Sequence, residues 1–414
     1  MVTTSKKIIR TYLTLTLFTT LAASLIWGIN TLFLLNAGLT IVEAFIANAF
    51  FTVGMVLFEI PTGVVADSRG RKFSYLLGTL TLAITTMLYL VLAWTGAPLV
   101  AWAVVSLFLG LGFTFFSGAT EAWLVDALQF TKYNGELDSV FGKAQVVGGI
   151  AMLSGSVLGG VIAQFSSLEV PYIVRVGLLV VTFIVAAIYM KDLGFTPDRE
   201  GSYAAQTKRI LSTSLTYGLK RPALRWVMLS APFISGVSIY VFYALQPYLL
   251  ELYGDSTAYW VAGLTAAIIA AAQIAGGFLA SPIRRLFKRR TAVLLFGTAV
   301  SAVILLVMGL IPQFAVVVSL IVLWGLISAA VMPVRQAYMN DLIPSKQRAT
   351  VLSFDSLLGS SGGVASQPLL GKAADAWGYG PSYVISGVIQ AAALPFLFLA
   401  NRRKERVDTK QTIV

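Results

Sequence analysis

The sequence predicts an all-α integral membrane protein whose twelve transmembrane helices form two pseudo-symmetric bundles of six. Three observations indicate this fold class. Of the 414 residues, 57% are hydrophobic and only 12% are charged, whereas about a quarter of the residues in a soluble domain are charged. Apolar runs of about 20 residues, the length that crosses a hydrocarbon core of about 30 Å, recur twelve times. A polar stretch divides these runs into six and six.

The twelve apolar runs are uniformly hydrophobic, which is typical of helices and differs from the alternating strands of about ten residues in a membrane barrel. They lie at 11–36, 41–66, 73–95, 98–125, 141–165, 171–190, 223–250, 257–281, 291–311, 314–334, 350–371 and 381–400. Basic residues precede the first run, as in a signal peptide. That run extends to about Asn36, so we expect it to be retained as the first helix.

The net charge of +12 follows the positive-inside rule, by which cytoplasmic loops are enriched in Lys and Arg. If both termini are cytoplasmic, every Lys and Arg except Arg175 and Lys372 falls on the cytoplasmic side. We therefore predict an even number of spans with both termini inside. Because the cations are scattered over short loops, the sequence argues against nucleic-acid binding.

The chain has no cysteine and no histidine. This removes thiol nucleophiles, disulfides, histidine acid–base chemistry and the usual zinc ligands. An enzyme embedded in the membrane would need paired carboxylates or a serine dyad near the interface, and the sequence presents neither pattern. We therefore expect no metal, no cofactor and no enzymatic activity, with a membrane-embedded enzyme as a remote alternative.

The domain organisation is predicted to be an N-terminal six-helix bundle at 1–192, a cytoplasmic linker at 193–222, and a C-terminal bundle with a short basic tail at 223–414. The linker opens with a polar stretch that reads as a solvated loop. Leucines then recur every fourth residue from Leu211 to Leu219. That spacing fits an amphipathic helix on the inner membrane surface, and equally a helical linker packed on the bundle.

The two halves repeat one pattern. The fourth helix ends in Glu-Ala-Trp-Leu-Val-Asp at 121–126, and the tenth ends in Gln-Ala-Tyr-Met-Asn-Asp at 336–341, so that Asp126 and Asp341 correspond. Parallel repeats of this kind are typical of transporters whose substrate binds near the midplane between the two halves.

One motif lies between the second and third helices. Residues 63–72 read Gly-Val-Val-Ala-Asp-Ser-Arg-Gly-Arg-Lys. They match every defining position of G-x-x-x-D-x-x-G-R-[KR], the loop signature of the major facilitator superfamily (MFS), and the chain resembles that family over essentially its whole length. The runs at 58–63 and 344–350 are similar to those of bacterial drug-efflux members. The resemblance implies the MFS fold and a multi-pass protein of a bacterial inner membrane.

The resemblance also implies a conformational latch. Its residues here are Gly63, Asp67, Gly70, Arg71, Lys72 and Asp126. In the family, the motif aspartate pairs with the arginine, with the acid of helix four and with the N-terminus of helix eleven, here near Thr350. A tight turn and the positive-inside rule would explain Gly70 and the cations, but not Asp67. Because Ser281 replaces the aspartate in the second half, we expect a one-sided latch.

Helix five carries the glycines Gly155, Gly159 and Gly160. They resemble the antiporter signature G-P-x-x-G-G, with serine in place of proline. Gly155 and Gly159 are also a small-xxx-small pair that lets helices approach closely, whatever the direction of transport. The helix-four arginine of the family is absent, since Ser106 stands at its position, which puts a proton relay through that arginine in doubt.

Acidic residues inside spans are functional candidates because burying a charge in the membrane is costly. Glu59 in helix two and Glu121 in helix four are therefore our candidates for the coupling proton. Alternatively, Glu59 and Glu121 could each make a structural hydrogen bond or ion pair near the latch. Asp355, near the start of helix eleven, is expected to be a helix-terminus charge.

The residues expected to line a substrate cavity are mostly aromatic. They are Trp27, Asn30, Phe113, Phe116, Tyr240, Tyr243, Gln246, Gln273 and Gln367. A sugar would require more hydrogen-bonding groups than these supply. The residues and the resemblance together favour a monomeric transporter that exports amphipathic or drug-like small molecules, with a lipophilic body, by proton antiport and alternating access. An uptake symporter for a sugar or metabolite, or a lipid translocator, is the alternative. The expected partners are the substrate, protons and the lipid bilayer.

Overall fold

The computed structural model describes residues 4–116, 119–197, 220–343, 348–403 and 405–409. Within these ranges the chain is helical and has no strand. The helices are α1 Ser5–Trp27, α2 Asn30–Asn36, α3 Ile41–Arg69, α4 Arg71–Thr95, α5 Leu99–Thr114, α6 Ala119–Phe130, α7 Leu137–Phe165, α8 Val170–Tyr189, α9 Pro222–Tyr253, α10 Tyr259–Leu286, α11 Arg290–Leu310, α12 Phe314–Leu342, α13 Arg348–Trp377, α14 Tyr379–Ala391, α15 Leu394–Arg402 and α16 Arg406–Thr409.

Eleven segments among the described residues are long and apolar enough to cross a membrane. They match eleven of the twelve predicted runs. The remaining run, 350–371, lies in α13, which is 30 residues long but contains serines, Asp355 and Gln367 and is therefore less apolar than the others. The all-α membrane fold class is confirmed.

Three of the predicted spans are each divided into two helices. The first span breaks at Gly28 and Ile29 between α1 and α2. The fourth comprises α5 and α6, and the twelfth breaks between α14 and α15, where Pro395 follows Leu394. Proline is favoured in the first turn of a helix because a backbone N–H at that position would have no intrahelical acceptor, so its absence costs no hydrogen bond.

Unit 1, one of two compact units, comprises the described residues within Met1–Leu39, Phe50–Tyr203 and Thr257–Ala267. In it, α1 packs on α7 and α8, and α4 packs on α5 and α8. One apolar core joins α1, α4, α6 and α7 through residues such as Tyr12, Tyr75, Trp123 and Val140.

Unit 2 comprises the described residues within Thr40–Ala49, Ala204–Ser256 and Ile268–Val414. Its helix α9 packs on α13, and α11 packs on α14. The α9–α13 contact is backbone to backbone, because a methyl group at Gly236 would overlap Gly362. An apolar core that includes Leu224, Tyr338 and Leu397 joins α9, α12 and α15.

The two units differ from the predicted bundles by two exchanged segments. Residues 40–49 at the start of α3 belong to unit 2, where Phe45 packs on the Tyr240 ring with centroids 4.8 Å apart. Residues 257–267 at the start of α10 belong to unit 1, where Gly263 meets Gly160. The predicted amphipathic segment at 211–219 lies outside the described residues. The predicted domain boundaries stay predictions.

The helix-five glycines lie at close helix contacts within unit 1. A methyl group at Gly155 would overlap the Ser24 hydroxyl, and one at Gly159 would overlap the carbonyl oxygen of Leu25. Helix α7 therefore approaches α1 more closely than any residue with a side chain would allow. This contact supports the packing interpretation of these glycines and leaves the antiporter interpretation a prediction.

We expect Gly159→Ala to lower the thermal unfolding midpoint of the protein in detergent. The added methyl group would force α1 and α7 apart, at a cost of about 1–3 kcal/mol. Gly142→Ala on the same helix is the matched control, because no described atom outside the neighbouring turns of α7 lies within 4 Å of the methyl group that it adds. Equal unfolding midpoints for the two variants would show that the close approach contributes nothing.

Candidate functional site

The predicted latch is built around a one-residue turn. Helix α3 ends at Arg69 and α4 begins at Arg71, so Gly70 alone reverses the chain, with φ of 111°. Residues with a Cβ are strained in this conformation. The turn brings the last residues of α3 beside the first turn of α4.

Arg71 is the centre of the latch. Its Nη1 lies 2.5 Å from Asp67 Oδ1, and its Nε lies 3.9 Å from Asp126 Oδ2. These contacts join α3, α4 and α6. The Asp67 side chain is 50% exposed, and pairs this exposed to water contribute at most about 1 kcal/mol each. The ion pairs of Arg71 are therefore weak, and the role of these residues as a latch stays a prediction.

Asp192 contacts the residues of the predicted latch, and the sequence interpretation missed this contact. Asp192 is exposed, as expected for a solvated loop after helix six, and its carboxylate accepts a hydrogen bond of 2.9 Å from the backbone N–H of Lys72 in the first turn of α4. Carboxylates are favoured at helix N-termini, where N–H groups have no intrahelical partner. A methyl group at Gly70 would collide with this carboxylate, so glycine is required here for space as well as for conformation.

The segment that carries Asp192 is fixed along its length. Trp123 Nε1 donates a hydrogen bond of 2.8 Å to the carbonyl of Lys191, and Lys72 Nζ donates one of 2.7 Å to the carbonyl of Ala187. The Arg71 guanidinium lies 5.9 Å from the centre of the Phe195 ring. Residues after α8 therefore contact the predicted latch, although most of them are exposed. An acid two or three residues past a span, beside basic loops, is the only sequence signal that could have indicated this.

Unit 2 contains an arrangement of the same kind. Arg290, at the start of α11, lies 2.8 Å from Asp341 at the end of α12. The backbone N–H of Thr291 donates a hydrogen bond of 2.8 Å to Asp408, whose side chain is buried. Ser281 does replace the motif aspartate, yet the cation–acid pair and the capping carboxylate are both present. The expectation of a one-sided latch stays a prediction.

Asp355 is an ion-pair residue and not the helix-terminus charge that we expected. Arg335 on α12 donates two parallel hydrogen bonds to its carboxylate, each of 2.7 Å. Asp355 is the eighth residue of α13 and lies past its first turn. Bidentate arginine–carboxylate pairs are among the stronger polar contacts in proteins, and this one joins α12 to α13.

The two candidate proton carriers lie in unit 1 and differ in solvent exposure. Glu59 is half-buried in α3, eight residues before Asp67. Glu121 is exposed in the first turn of α6. Their role in coupling stays a prediction.

The predicted cavity residues of the first half are mainly engaged in packing. Asn30 is buried and accepts a hydrogen bond of 3.0 Å from the Tyr172 hydroxyl. Phe113 packs edge-on against Phe51, with centroids 5.4 Å apart, and Phe116 packs edge-on against Tyr75 at 4.8 Å. Trp27, at the end of α1, is half-buried.

The predicted cavity residues of the second half also differ in exposure. Tyr240 is fully buried, and its hydroxyl lies 2.6 Å from the Ser382 hydroxyl. Gln367 is fully buried and donates to the carbonyl of Gly363 in its own helix. Gln246 is buried, Tyr243 is half-buried, and Gln273 is exposed. A shared substrate site for these residues stays a prediction.

Comparison with known proteins identifies the family. The model of the Major Facilitator Superfamily matches residues 12–363 and 233–413, which together cover nearly the whole chain. The chain belongs to the Major Facilitator Superfamily. It is accordingly a multi-pass membrane transporter.

A relative and several solved structures are similar to this MFS transporter. An uncharacterised MFS-type transporter of Methanocaldococcus jannaschii is 24% identical over 188 residues, which span 45% of this chain and 46% of that relative. The nucleoside transporter NupG has a TM-score of 0.77 at 12% identity, with 94% of this chain and 99% of that one covered. A bacterial homologue of the human lysosomal transporter Spinster has a TM-score of 0.73 at 15% identity, with 99% of both chains covered. These structures share the fold.

Arg175 is a further functional candidate in this MFS transporter. It stood out in the sequence only as an exception to the charge rule, yet it lies inside the span α8 and is only 1% exposed. Its guanidinium lies 5.8 Å from the centre of the Phe113 ring, a cation–π distance. A buried cation within a span is costly and is typical of a functional residue.

Asp192 keeps an exposed surface, but partial desolvation of its carboxylate raises its pKa above the ordinary value of 3.8, against the opposing effect of Lys72 and Arg71, and with a further increase from Asp126. The charged carboxylate is therefore disfavoured in the folded protein. The protonated carboxyl group of Asp192 therefore stabilises the folded protein at low pH. This contribution is fully present below the unfolded-state pKa and is lost as the pH rises through the folded-state pKa.

We therefore expect Asp192→Asn to gain stability relative to the wild type as the pH rises from below 3.8 towards neutrality. Asparagine keeps an acceptor for the Lys72 N–H but carries no charge. Asp192→Ala removes the acceptor as well as the charge, so it should be less stable than Asp192→Asn by about 0.5–2 kcal/mol at every pH. Thermal unfolding in detergent across this pH range measures both effects, with Asp375→Asn at an exposed site as the control. A difference between Asp192→Asn and the wild type that does not change with pH would contradict the assignment.

Proposed function

We propose that this MFS transporter exports amphipathic or drug-like small molecules in exchange for protons, by alternating access. The observation that carries the proposal is Glu121, a carboxylate that is exposed within an apolar span. Ionisable side chains in spans face a bundle interior or a water-filled cavity and not lipid. Water therefore reaches this carboxylate in the proposed transport cycle.

Proton coupling by carboxylates follows from the composition of the chain. The chain has no histidine, and histidine is the side chain whose ordinary pKa lies nearest to neutrality. A proton carried by a side chain within the spans is therefore assigned to an acid. Glu121 and Glu59 are the two acids that we propose for this role, with Glu59 half-buried and Glu121 exposed.

The proposed substrate is amphipathic because few polar groups are free to bind it. Asn30 is occupied by Tyr172, Tyr240 by Ser382, and Gln367 contacts its own helix. A sugar would leave hydroxyls unpaired in such a site, at a cost of about 1–3 kcal/mol each. Aromatic surfaces such as those of Tyr243 and Trp27 suit a lipophilic body instead.

The latch fits alternating access because its ion pairs are weak. The Arg71 pairs with Asp67 and Asp126 are partly exposed to water, so each contributes at most about 1 kcal/mol. In the proposed cycle this free energy favours the state in which the latch is closed. The two ion pairs break once in each turnover. A much stronger pair would hold the transporter in one state.

Glu59→Gln and Glu121→Gln should abolish the effect of a pH gradient on transport, because glutamine cannot carry the proton. The measurement is flux into proteoliposomes with an imposed pH gradient, tested with lipophilic cations, antibiotics and sugars. Glu136→Gln, an exposed residue that precedes α7, is the control and should keep the wild-type response.

Accumulation in the direction of proton flow would indicate the rival uptake symporter, and flux of lipids alone a lipid translocator. Full dependence on the pH gradient in both glutamine variants would sink the assignment of the proton carriers.

Asp67→Asn should slow transport without reducing the amount of inserted protein. Removal of the charge that pairs with Arg71 weakens the closed latch by up to about 1 kcal/mol, about fivefold in the conformational equilibrium. The same flux assay, normalised to protein in the vesicle, measures the effect, and Asp375→Asn is the charge-matched control. Normal transport by a well-inserted Asp67→Asn protein would refute the latch.

A further inference from the structure

A cavity of about 350 Å³ lies within unit 2, between α9, α11, α12 and the α14–α15 pair. Its volume falls at the lower end of the range for small-molecule sites, about 300–1,000 Å³. The predicted substrate-cavity residues do not line it. It is therefore a separate space inside one bundle.

The walls of the cavity combine apolar side chains with hydroxyl groups. Ile234, Leu294, Ile327 and Val331 are among the apolar lining residues. The hydroxyl-bearing lining residues are Ser230, Ser235, Ser238, Thr298, Ser301 and Ser328. This composition, mostly apolar with a few polar groups, is typical of a site for a small organic molecule.

Gln390 on α14 supplies the polar feature that points to a ligand. The side chain lines the cavity and is only 2% exposed, and its Oε1 accepts no hydrogen bond. The hydroxyls of Ser230 and Ser238 donate to carbonyls of their own helix, Val227 and Ile234. A buried oxygen without a donor is costly, and a ligand with an N–H or O–H group would satisfy it.

The cavity carries no net charge to attract an ion. Arg335 is the charged lining residue, and its guanidinium is held by the Asp355 carboxylate through two hydrogen bonds of 2.7 Å. The Asp355 carboxylate neutralises the positive charge of Arg335, so the cavity offers little attraction to an anionic ligand. An uncharged molecule with one donor group and an apolar body therefore fits best.

We propose that this cavity binds a small uncharged amphipathic molecule, whose N–H or O–H group donates a hydrogen bond to Gln390. The site lies within one bundle, so the proposal goes beyond the proposed export function and does not depend on the direction or coupling of transport. Its test measures binding and not flux, so that the two proposals can fail separately.

The experiment uses two photoreactive probes and the full-length protein in detergent. One probe is an alkyl diazirine with a terminal primary amide, and the other is its N,N-dimethyl amide, which has no N–H donor. We expect saturable labelling of α9, α11, α12 or α14 peptides, with the primary amide binding about tenfold more tightly because only it can donate to Gln390.

Three variants make the test specific. In Gln390→Leu the two probes should bind equally. Ser301→Leu should block both, because Ser301 is 4% exposed on the cavity wall and leucine fills the space. Ser319→Leu is the matched control on the exposed face of α12 and should change neither.

The unfolding midpoint of each variant is measured without probe, and if Gln390→Leu does not fold, Ser301→Leu and the probe pair decide the question. Equal binding of the two probes to the wild type, as expected for a space filled by lipid chains, would overturn the proposal. So would labelling that does not saturate, as expected for a space filled by water.

Discussion

The backbone N–H groups at the first turns of α4 and α11 require acceptors, and in each unit a carboxylate far away in sequence supplies one. Lys72 donates to Asp192 and Thr291 to Asp408, at 2.9 and 2.8 Å. The first hydrogen bond joins the residues after α8 to the first turn of α4. The second joins the residues after α15 to the first turn of α11. The ion pairs of Arg71 and Arg290 lie at the same two helix starts. Each unit thus orients its cation–acid pair through a capped helix N-terminus.

Inside the bundles, a different constraint determines the packing. Lipid offers no hydrophobic force that drives helices together, so close backbone contact and buried polar bonds must do so. Gly159 against Leu25 and Gly236 against Gly362 are such contacts. The Arg335–Asp355 pair adds a polar bond between α12 and α13. The same demand for polar partners makes Gln390 conspicuous, because its side-chain oxygen is buried and accepts no hydrogen bond.

The sequence predicted the membrane-spanning helices better than the hydrogen-bond and ion-pair partners of individual side chains. Apolar run length is a local property, so eleven spans appear where they were predicted, and α13 is long enough despite its serines. The motif grouped Asp67, Arg71 and Asp126, and the structure brings these three side chains within ion-pair distance, while their role as a latch stays a prediction. Asp192 and Asp408 were missed, since each acts on a backbone group about 120 residues away. Asp355 was misread for the same reason, as its partner lies on another helix.

What the sequence determined by itself is the membrane-spanning helical fold and the membership of the superfamily. These follow from hydrophobicity along the chain and from one local motif, neither of which needs knowledge of distant contacts. The tertiary structure alone decided which carboxylates cap which helices, that Arg175 is buried beside Phe113, and that a cavity with an unpaired oxygen lies within unit 2. The reason is physical: the burial and the hydrogen-bond partners of a side chain depend on the helices packed around it, and sequence spacing does not encode them.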